Sequence, residues 1–280
     1  MAERPSREEI RRRVLEDRPS FVVPVEVPDP PVVPRDSATV ILLRNGAKGL
    51  EVFMLERHLR SDFAGGAYVF PGGTVDARDT DPGAAAALDE RGDADVTAPF
   101  FLCAIRETFE EAGVLLARRD GRAIRFGGED GARFAEYRRE FNARGGSLAV
   151  LADREAIRYA GDLLHYYQRW ITPEFSPKRY DTRFFVAGMP EDQEPLHDDV
   201  ETTASTWIRP IDALTQAADG LFSIIFPTRK CLESLTRFDT AADVIASTKE
   251  KHVDAVLPKV VLSDGKARVV LPGDATLHEP

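Results

Sequence analysis

The chain has 280 residues, two cysteines and a formal net charge of −10 at pH 7, with a sequence pI of about 5.1. This acidic balance argues against a protein that binds nucleic acid through general phosphate contacts, because such binding needs a basic surface. Two cysteines are too few for a disulfide framework and no apolar segment is long enough to span a membrane, so we expect a reducing, cytoplasmic location and no membrane partner.

The amino-terminal part, residues 1–36, is predicted to be an extension of one domain that occupies residues 37–280. Its first twenty residues contain no apolar h-region, so we expect no signal peptide. Prolines and valines recur between residues 20 and 36. Because proline locks φ and valine favours burial, we predict an extended segment that packs on the domain.

Two β-strands are predicted at 37–43 and 50–56, joined by a turn at Asn45-Gly46. Arg57 and Arg60 follow the second strand, shortly before a glycine-rich turn. Arginine suits two-point contact with phosphate, so we predict that both bind a substrate phosphate. The alternative is that they are ordinary solvated surface residues.

Glycine pairs at 65–66 and 72–73 bracket a predicted strand over 67–70. After Asp79, an alanine run followed by Gly, Asp and Pro predicts an insertion at about 80–98, a loop with one short helix. Because the entropy of loop closure grows only logarithmically with length, the glycine turn can still meet the helix that follows the insertion.

The stretch 103–114, CAIRETFEEAGV, predicts a helix with two opposed faces, ended by Gly113. Glu107, Glu110 and Glu111 share one stripe, at positions i, i+3 and i+4, directed away from the apolar side that packs on the core. Three carboxylates on one stripe repel each other, which leaves a natural place for a hard divalent cation. The alternative is a solvated acidic face, and the spacing alone does not decide between them.

Helical periodicity over 129–144 and 153–170 predicts a second, helical insertion at about 119–170. Further strands are predicted at 183–188 and 203–208, helices at 211–218, 228–236 and 241–251, and a closing hairpin that pairs 259–262 with 267–271. The hairpin is interpreted as core closure, with a homodimer contact as the alternative. An aromatic and aliphatic set in the second insertion is interpreted as core, with a wall for an apolar ligand tail as the alternative: Tyr159, Leu163, Leu164, Tyr166, Tyr167 and Trp170.

Two segments, Phe70-Pro71-Gly72-Gly73 and RETFEEAGV at 106–114, together resemble the Nudix box. In that family a glycine is followed by five residues and a glutamate, then by seven residues and the Arg-Glu half. Here Asp79 stands at the place of the first glutamate, and 26 residues separate Asp79 from Arg106. An interrupted box of this kind is known in the coenzyme A diphosphatase subgroup, which the segments 68–73, 177–185, 201–203 and 271–274 also resemble.

The resemblance implies an α/β fold, the Nudix α/β/α sandwich around a mixed β-sheet, with extra helical insertions. It implies that Mg²⁺ or Mn²⁺ binds to the carboxylates of Glu107, Glu110 and Glu111 and to the carbonyl of Gly72. Arg106 would hold the carboxylates in place, a role normally shared with the first glutamate of the box. The shorter side chain of Asp79 leaves that link in question.

The resemblance also implies roles for residues outside the box. Glu107 or Glu201 would orient or deprotonate the attacking water. For Glu201 a role as a metal ligand is also implied, with loop solvation as the alternative. The basic residues Lys178 and Arg179 would approach the anionic substrate.

The favoured activity is metal-dependent hydrolysis of coenzyme A or acyl-coenzyme A to 3′,5′-ADP and (acyl-)phosphopantetheine, a small-molecule diphosphate substrate. One alternative is an ADP-ribose or dinucleotide pyrophosphatase, because Ala64 occupies a position where the common coenzyme A motif has histidine. The other is a non-catalytic binding protein with the Nudix fold, which the retained glutamates disfavour. A homodimer is possible with each of these activities.

Overall fold

The structure, a computed structural model, describes residues 28–58, 65–91, 93, 95–198, 201–249, 252–263 and 266–272. The predicted features of residues 1–27, and Arg60 with its predicted role, lie outside these ranges. None of the helices within them is long and apolar enough to cross a membrane.

Strands and helices alternate irregularly along the described chain. The strands are β1 (Arg35–Gly46), β2 (Gly49–Arg57), β3 (Tyr68–Val69), β4 (Gly72–Thr74), β5 (Ala117–Arg119), β6 (Arg122–Ala123), β7 (Arg158–Tyr159), β8 (His165–Ile171), β9 (Tyr180–Gly188), β10 (Thr202–Ile208), β11 (Ala255–Val256), β12 (Lys259–Ser263) and β13 (Lys266–Val270). The helices are α1 (Pro82–Ala86), α2 (Ala98–Ala112), α3 (Gly128–Asn142), α4 (Leu148–Glu155), α5 (Pro210–Ala218), α6 (Phe226–Leu235) and α7 (Ala241–Ala246), and short 3₁₀ turns cover Ala77–Thr80 and Gly161–Leu163.

The central sheet is mixed, in the order β10-β2-β1-β9-β8-β11. β1 pairs in parallel with β9, whereas β2 with β1 and β8 with β9 are antiparallel. The short strands β3 and β4 add to β2 and β1. This arrangement brings the glycine segment Gly72–Thr74 against the start of β1, where Ser37 lies opposite Thr74.

Side chains of the central strands alternate between two hydrophobic cores, as the pleat of a strand requires. On β1, Val40 and Leu42 pack into one core while Ile41 and Leu43 pack into the other. The first core is covered by α2, α3 and α4, and the second by α5, α6 and α7. Helices therefore lie on both faces, and the predicted α/β fold with a mixed sheet is confirmed.

Most predicted elements are confirmed, including the first two strands, the short helix in the alanine run and the closing hairpin that pairs β12 with β13. The helix predicted over 241–251 is shorter, since α7 ends at Ala246.

The helix predicted over 153–170 is wrong. α4 ends at Glu155, because Ala156 adopts a left-handed conformation, and the chain continues as β7, a 3₁₀ turn and β8. β8 pairs with β9 inside the central sheet, so long-range strand pairing overrides the helical spacing of this apolar run. The interpretation of its aromatic set as core is confirmed by Tyr159, Leu164 and Tyr167, which are fully buried.

Candidate active site

Helix α2 carries the three glutamates and is buried on nearly all sides. Gly113 ends it in a left-handed conformation, φ 68°, as predicted for a C-cap. The glutamates point away from the apolar stripe but are largely buried: Glu111 is 4% exposed, and the side chains of Glu107 and Glu110 are 13% and 14% exposed. This burial argues against the alternative of a solvated acidic face.

The glycine strand β4 lies directly against α2. The Gly72 N–H donates a hydrogen bond to Glu111 Oε2 at 2.9 Å. A Cβ on Gly73 would lie 2.5 Å from the Glu107 carboxyl carbon, and one on Gly72 would lie 2.6 Å from the Ala38 carbonyl oxygen. Only glycine permits this approach of backbone to carboxylate. The long insertion therefore does not separate the two halves of the box.

Asp79 occupies the position of the missing glutamate. Its carboxylate accepts hydrogen bonds from Arg106 Nε at 2.7 Å and from Arg106 Nη2 at 2.8 Å, and both residues are almost completely buried. The 3₁₀ turn Ala77–Thr80 directs Asp79 inward, because Asp76 caps that turn and its own N–H donates to Asp79 Oδ2. The shorter side chain thus reaches the arginine.

Two arginines contact the glutamates of the stripe. Arg106 Nη1 donates to Glu107 Oε1 at 2.7 Å and to Glu110 Oε2 at 3.1 Å. Arg78 Nη1 donates to the other oxygen of Glu110 at 3.0 Å, while its Nη2 donates to Asp76. Arg78 is not among the site residues predicted from the sequence. Its position one residue before Asp79 was the available signal.

Negative charge at the site exceeds what these arginines neutralise. Burial raises the pKa of Glu111 well above its ordinary value, and the nearby carboxylates of Glu107 and Glu201 raise it further. Burial also raises the pKa of Glu107, against the opposing effect of Arg106. Burial, followed by the charge of Glu107, raises the pKa of Glu110 to about 7.

The donor atoms of this cluster fit a hard divalent cation in type, because carboxylate and carbonyl oxygens are the ligands that Mg²⁺ and Mn²⁺ prefer. The uncompensated buried charge also favours a cation. In the part of the chain that is described, however, no three Asp, Glu, His or Cys side chains already form a metal-binding group. Glu107 and Glu110 both direct oxygens at Arg106.

Arg57 is the last residue of β2, and Glu201 directly precedes the neighbouring strand β10. The Glu201 N–H donates to both carboxylate oxygens of Asp198, at 3.1 and 3.2 Å, and its carbonyl accepts from the His58 N–H at 3.0 Å. Arg57 lowers the pKa of Glu111 through its charge. Its Nε is buried with no hydrogen-bond partner among the described residues. The sheet thus brings both predicted residues close to α2.

The two predicted basic residues of the β8–β9 connection differ in environment. Lys178 is exposed. Arg179 is buried, and its guanidinium donates to the carbonyls of Thr172 at 3.0 Å and Val32 at 2.7 Å. These contacts attach the entry segment to the connection, so they favour a structural role for Arg179 over substrate contact.

The chain is similar to known proteins in sequence and in fold. Residues 89–227 match the family described as the NUDT19 Nudix domain. A crystal structure of a Nudix hydrolase from Alicyclobacillus acidocaldarius superposes with a TM-score of 0.70 and 26% sequence identity, covering 79% of this chain and 99% of that one. The chain belongs to the Nudix hydrolase superfamily.

Curated Nudix relatives include two vertebrate acyl-coenzyme A diphosphatases named NUDT19. The chicken protein is 26% identical to this chain, with 88% of this chain and 80% of the chicken protein covered. The Xenopus laevis protein is 24% identical, with 61% of this chain and 56% of the frog protein covered. The predicted resemblance to the coenzyme A diphosphatase subgroup is confirmed at this level of similarity.

Proposed function

We propose that this Nudix protein hydrolyses the diphosphate of coenzyme A or acyl-coenzyme A and releases 3′,5′-ADP and (acyl-)phosphopantetheine. The observation that most directly supports hydrolysis of a diphosphate is the buried carboxylate cluster beside the Gly72–Gly73 backbone. The names of the vertebrate relatives and the interrupted box support the choice of substrate.

A diphosphate resists hydrolysis because its oxygens repel an incoming nucleophile, so a catalyst must neutralise charge and orient water. Glu107, Glu110, Glu111 and the carbonyl of Gly72 would hold Mg²⁺ or Mn²⁺. The bound ion would neutralise phosphate charge and lower the pKa of a water molecule. Arg106 would keep Glu107 and Glu110 oriented through the contacts described above.

The remaining residues act on the substrate and the water. Arg57, whose Nε is buried without a partner among the described residues, would bind a diphosphate oxygen. Glu201, whose N–H donates to Asp198 just before β10, or Glu107 would orient the water or accept its proton. Water attacks one phosphorus, the bridging P–O bond breaks, and each product keeps one phosphate of the former diphosphate. Lys178, which is exposed, would approach the substrate 3′-phosphate.

The test is a product analysis of the purified chain with Mg²⁺ or Mn²⁺ on coenzyme A, acyl-coenzyme A, ADP-ribose and a dinucleotide. We expect 3′,5′-ADP from coenzyme A or its acyl forms. Glu111→Gln keeps an acceptor for the Gly72 N–H but loses the charge, so it should abolish turnover. Glu136→Gln, an exposed position on α3, is the matched control.

Other results would support the alternatives. A clear preference for ADP-ribose or the dinucleotide would replace the coenzyme A assignment, and no product from any diphosphate would indicate a binding protein. A homodimer and a cytoplasmic location stay predictions, to be tested by the mass of the protein in solution and by its location in cells.

A further inference from the structure

The carboxyl-terminal turn of α2 ends in the site, and its backbone carbonyls have no partners within the helix. Two of the last four carbonyls are satisfied by backbone N–H groups, since Gly113 N–H donates to Phe109 O and Leu196 N–H donates to the Ala112 carbonyl at 2.9 Å. Val114 N–H donates to Thr108 O, one residue before this group. The carbonyls of the two glutamates in this turn are satisfied differently.

Arg138, on helix α3 of the second insertion, binds both of those carbonyls. Its Nε donates to Glu110 O at 2.9 Å and its Nη2 donates to Glu111 O at 2.7 Å. A Cβ on Gly113 would lie 2.8 Å from Arg138 Nη1, so glycine is required there for close approach as well as for its positive φ. The cation also faces the negative end of the helix dipole, where it is stabilising.

The same guanidinium reaches the segment that leads to Glu201. Arg138 Nη2 donates to Leu196 O at 2.8 Å, two residues before Asp198. Asp198 in turn accepts from the backbone N–H groups of Glu201 and Thr202. One side chain therefore connects the helix that carries Glu110 and Glu111 with the segment that carries Glu201.

We infer that Arg138 is a positioning residue for hydrolysis, which fixes the distance between the α2 glutamates and Glu201. The inference rests on the proposed function. Arg138 donates to backbone carbonyls of both segments, and through them it would position Glu111 and Glu201. This assigns a use to the α3 insertion, which supplies no glutamate of the box.

A positioning role predicts a specific kinetic signature. Misplacing catalytic groups by about 1 Å can cost roughly 100-fold in rate without changing the substrate contacts. We expect Arg138→Ala to lower kcat roughly 10- to 100-fold while KM changes little. Arg138→Lys keeps the charge but has a single nitrogen that cannot replace the guanidinium at three carbonyls, so its kcat should be intermediate.

Arg133 provides a matched control on the same helix. It binds Glu155 and Asp130 and makes no contact with α2 among its described hydrogen bonds. Arg133→Ala should reduce stability to an extent similar to Arg138→Ala while leaving kcat close to that of the wild type. Free guanidinium ion at low concentration should restore part of the activity of Arg138→Ala and leave Arg133→Ala unchanged.

Hydrogen exchange tests the inference independently of turnover. In Arg138→Ala, amides of Gly113, Val114 and Leu196 should exchange faster than in Arg133→Ala. Equal kcat and equal exchange in the two variants would overturn the inference. If the wild type hydrolyses no diphosphate, the proposed function fails, but faster exchange in Arg138→Ala would still support the connection and unchanged exchange would reject it.

Discussion

Arg106 and Asp79 form a buried two-point ion pair across 27 positions of sequence, with Nε to Oδ1 at 2.7 Å and Nη2 to Oδ2 at 2.8 Å. The pair closes the insertion into a loop and attaches the 3₁₀ turn to the glutamate helix. Arg106 Nη2 also donates to the carbonyl of Thr74, so the glycine strand is attached to the same guanidinium. The interrupted Nudix box is therefore continuous in space.

Replacing Asp79 should destabilise the fold strongly. Asp79→Ala leaves the Arg106 guanidinium buried without its main partner, which costs on the order of 3–5 kcal/mol in the free energy of unfolding. Urea denaturation would measure the loss. The control is Asp162→Ala, which breaks the more exposed ion pair between Asp162 and Arg118. It should lower the free energy of unfolding by about 1 kcal/mol or less. Equal losses in the two variants would contradict the importance of the Asp79 pair.

Gly73 should not tolerate a side chain. Gly73→Ala places a Cβ 2.5 Å from the Glu107 carboxyl carbon, so Glu107 or β4 must move. Such overpacking costs about 1–3 kcal/mol, and the moved carboxylate should lower activity further. Gly127→Ala, where a Cβ meets nothing within 4 Å, is the control. Coenzyme A turnover and thermal unfolding of the two variants would check this. Full activity in Gly73→Ala would contradict the close approach of the Gly73 backbone to Glu107.

Arg78 should compete with a divalent ion for Glu110. Removing this cation in Arg78→Ala leaves more negative charge for the ion, so Mn²⁺ should bind about two- to five-fold more tightly, equivalent to about 0.5–1 kcal/mol. Mn²⁺ titration followed by electron paramagnetic resonance gives the Kd. Arg118→Ala serves as the comparison because Arg118 pairs with Asp162 outside the site. Weaker Mn²⁺ binding in Arg78→Ala would mean that Arg78 orients Glu110 for the ion.

Glu155 should contribute to the acid sensitivity of the second insertion. The pKa of Glu155 lies below its ordinary value of 4.5, mainly because the Arg133 guanidinium donates a hydrogen bond to its carboxylate. A carboxyl with a depressed pKa in the folded state stabilises the protein above its ordinary pKa, and this contribution is lost as pH falls through the lowered value. Glu155→Gln should therefore be less stable at pH 7, and the difference from the wild type should shrink below pH 4.5. A constant difference across that range would contradict the assignment.

The features that the sequence could predict are mainly local ones. The sequence predicts α2 from the spacing of Glu107, Glu110 and Glu111 and from the glycine that follows them. This prediction works because the contacts that form a helix join residues close together in the sequence. The apolar runs on either side of the Asn45-Gly46 turn similarly predict β1 and β2. β8 could not be predicted in this way, since its aromatic run has helical spacing and becomes a strand only by pairing with β9.

The charge balance of the site could not be predicted from spacing, because it depends on distant segments. Burial of Glu111 follows from its contact with Gly72, 39 residues away. The contacts of Arg78 with Glu110 and of Arg138 with the end of α2 likewise join segments that lie 32 and 28 positions apart. Three of the carboxylate and carbonyl contacts that define the site therefore come from tertiary structure.

The central claim is that glutamates of α2 bind a divalent ion beside the glycine strand. Anomalous diffraction from crystals soaked with Mn²⁺ and coenzyme A tests it most directly. We expect a peak in contact with the carboxylates of Glu107 and Glu111 and near the Gly72 carbonyl, with Arg106 and Arg78 displaced from at least one glutamate oxygen. A fully occupied Mn²⁺ peak elsewhere, with Glu107 and Glu110 still bound to the arginines, would contradict the account.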